Sequence, residues 1–181
     1  MPVDIRLTYE DYCLFPNDGK RYEIIDGELF VTPSPRSLHQ IIVSNLHLEL
    51  GQFVKSRKLG RLYVAPLDVV FSRFDVVEPD LLYISQARSA VLTEKNVQGS
   101  PDLVVEVLSE TTADVDRTTK LKLYARYGVQ EYWIIDPLGP SAQIYRRKAG
   151  SLDLAATHQP EDFLTSPLFP GFSLKLRNLL E

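Results

Sequence analysis

Apolar positions change their period several times along the chain, and each change marks an element. Thr8-Tyr9-Glu10-Asp11 has the spacing of a capping box, with Asp where Glu or Gln is usual, and predicts a short opening helix. Asn17-Asp18-Gly19 reads as a turn. The runs Arg21–Ile25 and Glu28–Thr32 flank Asp26-Gly27, a strong hairpin signal, and Pro33-Ser34-Pro35 ends their pairing. From Arg36 to Arg57 the period lengthens. Ile42, Leu46, Leu50 and Phe53 recur at helical spacing with Val43 and Val54 beside them, so one long amphipathic helix is predicted, with Gly60 just past its end.

Three strands are expected next, at Arg61–Ala65, Leu67–Ser72 and Val77–Ser85, followed by a short helix over Gln86–Leu92. Asp102–Leu108 is nearly all apolar, as befits a strand covered on both faces. Asp114–Tyr127 reads as a helix closed by Gly128, and Gln130–Asp136 as another buried strand before the turn Pro137-Leu138-Gly139-Pro140. A late hairpin, Ala142–Arg147 with Leu152–Thr157, turns at Lys148-Ala149-Gly150. The tail beyond it, with Pro167 and Pro170, shows no period. Helix, three strands, then strand, helix, strand predict an α/β fold with a mixed sheet, helices on its faces and a hairpin at each end. No repeat or linker divides residues 1–181, so a single domain is expected.

Composition narrows the class. With 44% hydrophobic and 24% charged residues, the 181-residue chain can build a core. No apolar run approaches the roughly 20 residues that cross a bilayer, and Met-Pro-Val-Asp-Ile-Arg has no signal-peptide core. Cys13, the single cysteine, cannot form an internal disulfide. A soluble, cytoplasmic protein is therefore expected, with Cys13 a small buried or half-buried residue and not a catalytic thiol. A net charge of −4 and a pI near 5.4 argue against a broadly basic nucleic-acid binder. They leave room for a site rich in carboxylates that is served by a local basic strip.

Two carboxylates stand where core strands rarely place them. Asp80 follows Pro79 at the head of an apolar strand, and Glu106 lies inside Leu103-Val104-Val105-Glu106-Val107-Leu108. Burying either costs several kcal/mol, about as much as a bound cation can offset, although a structural ion pair would serve as well. A lysine shifts that balance. At about 100° per residue, Leu121, Leu123, Tyr124 and Tyr127 define the buried arc of their helix. Lys120 falls within that arc, whereas Lys122 and Arg126 fall opposite. Two carboxylates and an inward lysine form a set suited to phosphodiester cleavage. The carboxylates would hold Mg²⁺ or Mn²⁺, which favour oxygen ligands, and the lysine would orient water or stabilise the transition state.

Several segments carry a family resemblance. They are Tyr22-Glu23-Ile24-Ile25-Asp26-Gly27-Glu28-Leu29, His39, Glu78-Pro79-Asp80, Pro101 to Ser109, and Lys120 with Tyr124 through Pro137. Together, over roughly Tyr22 to Pro137, they resemble the Uma-type family of restriction-endonuclease-like proteins within the PD-(D/E)XK nuclease superfamily. The resemblance implies an αβββαβ core, Asp80 and Glu106 as metal carboxylates, and the Val107 carbonyl as a further ligand. It also implies DNA as substrate. Two positions after Glu106, where the superfamily motif has lysine, this chain has Leu108, and the family resemblance puts the lysine at Lys120. Glu23 and His39 match family positions, which implies roles as a remote metal or water ligand and as a phosphate contact. By analogy with small nucleases, a homodimer is expected.

Trp133 and Tyr132 read as core residues, and His47 and His158 as ordinary surface or boundary residues. If a DNA-contacting strip exists, Arg146-Arg147-Lys148 and the group Lys55, Arg57, Lys58 and Arg61 are its first candidates. Two other readings compete with an endonuclease. One is a module of the same fold that binds nucleic acid or a protein without cutting; the other is a structural or oligomeric protein using the cluster as a buried ion pair.

Overall fold

The computed structural model describes residues 6–181. Helix α1 (Tyr9–Tyr12) carries the capping box, Thr8 and Asp11 each bonding the other's backbone. Strands β1 (Arg21–Ile25) and β2 (Glu28–Thr32) form the expected hairpin, with Asp26 at φ 53° and Gly27 at φ 83° across the turn. Those two positive φ values give the twist that a two-residue hairpin needs. Helix α2 (Ser37–Ser56) follows, then β3 (Gly60–Val64), β4 (Val69–Ser72), β5 (Asp75–Val77) and β6 (Leu81–Ser85). A 3₁₀ segment, Gln86–Val91, leads through β7 (Val97–Gln98) to β8 (Leu103–Val107).

Helix α3 (Ala113–Val115) passes through a π-helical segment, Asp116–Lys120, into α4 (Leu121–Tyr127), which ends at Gly128 in the left-handed region. Strands β9 (Glu131–Asp136), β10 (Ser141–Lys148) and β11 (Ser151–His158) come next. The short β12 (Phe163–Leu164), β13 (Leu174–Lys175) and helix α5 (Arg177–Leu180) close the chain.

The principal sheet has the order β11-β10-β9-β8-β6-β3, antiparallel throughout except for the parallel β8–β9 pair. That pair is joined by the α3–α4 crossover, the connection parallel strands require. Its central strands bury both faces, which is why they read as continuous apolar runs. On one face, Leu81, Tyr83, Val105, Val107 and Trp133 pack against Ile42, Leu46, Leu50 and Val54 of α2. On the other, Leu82, Val104, Tyr132 and Ile134 pack against Leu123 and Tyr124 of α4. The fold is thus a restriction-endonuclease-like α/β fold, in the order α2-β3-β6-β8-α4-β9.

Four expectations need correction. Leu67–Ser72 does not join the principal sheet. It contributes β4 to a second sheet, β2-β1-β5-β4-β7, because the extended run Val77–Ser85 breaks at Glu78-Pro79 and Pro79 has no N–H for a ladder. The helix over 114–127 is not uniform, since the π segment interrupts it. The tail, in which no period shows, nevertheless forms β12, β13 and α5, and Phe169, Leu174, Leu176 and Leu179 pack into the α2 face of the core. Cys13 is exposed, because it follows a four-residue helix that buries no residue. No helix among the described residues is long and apolar enough to cross a membrane.

Candidate functional site

The break at Pro79 matters most, for it places Asp80 one residue before β6. Leu81 pairs with Val105, so the next pair along the register sets Asp80 beside Glu106 on the adjacent strand. Strand alternation sends Val105 and Val107 towards α2 and Glu106 towards α4. Both carboxylates are nearly inaccessible, at 3% and 2% relative exposure. They line a cavity of about 200 Å³ together with Arg21, His39, Asp116 and Lys120.

Asp80 is held on three sides. Its Oδ1 lies 2.8 Å from Arg21 Nη1, while its Oδ2 lies 2.9 Å from His39 Nε2 and accepts the Val107 N–H at 2.8 Å. Burial pushes its pKa up. The His39 hydrogen bond, the Arg21 charge and the Val107 amide outweigh burial and hold it at about 2.

Glu106 is bound differently. Lys120 Nζ and the Tyr124 hydroxyl both donate to its Oε1 at 2.9 Å, and among the described residues no donor reaches Oε2. Lys120 Nζ also lies 2.9 Å from Glu23 Oε2 and 3.4 Å from Asp116 Oδ1. Burial, joined by the charges of Asp80, Asp116 and Glu23, raises the Glu106 pKa well above the usual carboxylate range despite Lys120. Burial likewise raises Asp116. It would lower Lys120, but the three facing carboxylates win and keep the ammonium charged.

The structure brings Asp80, Glu106, Val107, Lys120 and His39 to the lining of this cavity and Glu23 behind it against Lys120. Glu23 is buried, although a glutamate on a hairpin strand is usually exposed. Its period-2 alternation with Arg21 turns both inward, and its oxygens accept the Glu78 N–H and the Lys120 ammonium. His39 spends Nε2 on Asp80, and its Nδ1 is buried without a partner. In this arrangement Nε2 orients Asp80, and Nδ1 is the nitrogen left without a partner. Val107 directs its N–H to Asp80, and its carbonyl lies on the same strand edge.

Sequence reasoning missed Arg21, Asp116 and Tyr124. Asp116 had a signal, because a residue four before Lys120 shares its side of a helix. Arg21 comes from the second sheet, and no local pattern marks it.

Among the described residues, no three His, Cys, Asp or Glu side chains converge as a ready metal site. The reason lies in the ion pairs, since Arg21 and Lys120 already hold Asp80 and Glu106. The donor set nevertheless suits a hard divalent ion. Four buried carboxylates, Asp80, Glu106, Glu23 and Asp116, face two permanent cations, Arg21 and Lys120, which leaves an excess of two negative charges. Glu106 Oε2 is unclaimed, and Asp116 Oδ1 is buried with no hydrogen bond. Such a deficit is costly in a dry site unless protons or a cation compensate it.

A search of the curated proteins finds no match. Among solved structures, the chain is similar to a protein from Anabaena variabilis described as "a putative nuclease belonging to DUF820". The TM-score is 0.79 at 20% sequence identity, with 96% of this chain and 97% of that chain covered. The family model described as "Uma2: Putative restriction endonuclease" matches residues 8–177. That match takes in the second sheet, the principal sheet and the cavity between them, so the chain belongs to the Uma2 family.

Proposed function

We propose that this protein is a metal-dependent endonuclease that hydrolyses DNA phosphodiester bonds in the cavity between Asp80, Glu106 and Lys120. The observation that carries the reading is four buried carboxyl groups against two cations there, one of them a buried lysine that stays charged. The family description and the restriction-endonuclease-like fold support the same class.

Asp80, Glu106 and the Val107 carbonyl would hold Mg²⁺ or Mn²⁺. Such an ion supplies a bound water of lowered pKa and neutralises charge gathering on the phosphate. Lys120, being charged, does not act as a base; it donates hydrogen bonds to the attacking water or to a phosphoryl oxygen. Glu23 and Asp116 position that ammonium from behind, and His39 and Arg21 fix the Asp80 carboxylate. The water oxygen bonds to phosphorus as the bond to the leaving oxygen breaks; the water gives up one proton to solvent, and the leaving oxygen takes one up from solvent, so the protons balance. Two copies acting together would address both strands of a duplex, an assembly that light scattering would report.

Plasmid and short single-stranded DNA incubated with Mn²⁺ should be cut by the natural chain and not by Glu106→Gln or Lys120→Ala. Cleavage surviving in both variants would overturn the site assignment. Binding without cleavage would leave the module that holds nucleic acid or a protein partner.

A further inference from the structure

A second concavity, of about 1160 Å³, lies between the C-terminal half of α2 and β3, the edge strand of the principal sheet. It is lined by His47, Gln52, Lys55, Lys58 and Arg61 among others, and by no carboxylate. Among the described residues, the side chains of Lys55, Lys58 and Arg61 form no ion pair, whereas eight arginines elsewhere each face a carboxylate. The other basic run is committed at two of its three positions. Arg146 pairs with Glu131 and Arg147 donates to the Ala125 carbonyl. On a chain of net charge −4, three free cations in one groove form a local positive field that a polyanion relieves.

The separation fits a rod-like polyanion. His39 lies near the start of α2 and Lys55 near its end. At 1.5 Å per residue they stand about 24 Å apart, roughly 7 base-pair steps at 3.4 Å each.

We propose that this groove contacts the phosphate backbone of duplex DNA about 7 base pairs from the site of cleavage. The proposal rests on the nuclease reading for its substrate, but its test does not require cleavage. Lys55, Lys58 and Arg61 are exposed, so a triple substitution, Lys55→Gln with Lys58→Gln and Arg61→Gln, should fold with an unchanged melting temperature.

Binding to a labelled duplex of about 24 base pairs is measured in EDTA over a series of salt concentrations. The triple variant should bind about tenfold or more weaker, with a log K against log salt slope shallower by about 2–3, near 0.9 per lost phosphate contact. A hairpin stem of about 6 base pairs is too short to span both places at 3.4 Å per step, so the natural chain should bind it more weakly than the long duplex. Equal slopes on the long duplex, equal affinity of the natural chain for the short stem and the long duplex, or a preference for single-stranded RNA over duplex DNA would each overturn the proposal. A protein that keeps the slope difference yet never cuts DNA would retain the groove and lose the nuclease reading.

Discussion

Lys120 reaches Glu106 across 14 positions of sequence, Nζ to Oε1 at 2.9 Å. The strand position two after Glu106 is filled by Leu108, buried in the core on the α4 side. A side chain arriving from the helix therefore brings the ammonium to Glu106, where the proposed mechanism needs it. The π segment ends on Lys120, at the point where the ammonium meets Glu106, Glu23 and Asp116. Interruptions of this kind often accompany functional sites.

Removing that lysine should affect stability and activity together. Lys120→Ala leaves three buried carboxylates around an empty place, and breaking such a pair costs about 3–5 kcal/mol. Glu106→Gln removes charge from an over-acidic cluster and should be neutral or stabilising in EDTA. Urea melts of both variants check the pair of signs. Equal destabilisation by both would mean that the cluster is a balanced ion pair and holds no excess charge.

Divalent ions should stabilise the natural chain. An ion that binds only the folded state adds about 2.7 kcal/mol at a hundredfold excess over its Kd. Thermal melts with and without Mn²⁺ should therefore separate, and Asp80→Asn or Glu106→Gln should abolish the separation. An unchanged melt for the natural chain, with no heat in a Mn²⁺ titration, removes the metal from the mechanism.

Lys120 was legible in the sequence because it breaks a local rule, a charged residue on an apolar arc. Asp80 and Glu106 were legible for the same reason, as carboxylates at the head of and within buried strands. Lys120 is buried, although its helix is less regular than the spacing implies. The π segment leaves Leu121 and Tyr127 only partly buried, while Leu123, Tyr124 and Lys120 are buried. What stayed hidden depends on contacts between distant segments. Arg21 looks like any strand-opening arginine until the second sheet brings it 2.8 Å from Asp80. Phe169 and Leu179 follow no period because the tail packs as separate anchors and not as one long element.

Acid should reveal two opposing trends. Asp80 has its pKa lowered on folding from 3.8 to about 2, so its contribution is fully present above pH 4 and fades as pH falls towards 2. By linkage that contribution is of the order of 2 kcal/mol. Glu106 and Asp116 have raised pKa values, so the folded state holds their protons more tightly and stability declines as pH rises past the normal carboxylate range. In EDTA the protein should accordingly be most stable near its carboxylate titration range and weaker at neutral pH. Mn²⁺ should reduce the decline on the alkaline side and leave the acid side unchanged. Denaturant midpoints from pH 2 to 8 measure both arms, and a monotonic rise to neutrality in EDTA would contradict the excess-charge account.

Asp116 separates the two roles that the cluster could have. Its Oδ1 is buried without a hydrogen bond, and the nearest cation, Lys120, stands 3.4 Å away. Lys120 keeps two closer carboxylates at 2.9 Å, so it does not need Asp116 to stay compensated. Asp116→Asn should therefore leave Lys120 in place and lower the negative excess by one, making the protein in EDTA as stable as the natural chain or more so. The same change should weaken Mn²⁺ binding by about tenfold, a scale common for groups that act behind metal ligands. A purely structural cluster would behave the other way, losing stability on Asp116→Asn and showing no Mn²⁺ response to lose. Melts in EDTA and calorimetric titration with Mn²⁺ on one preparation give both signs, and a stabilised variant with weakened Mn²⁺ binding fits only a site built to receive a cation.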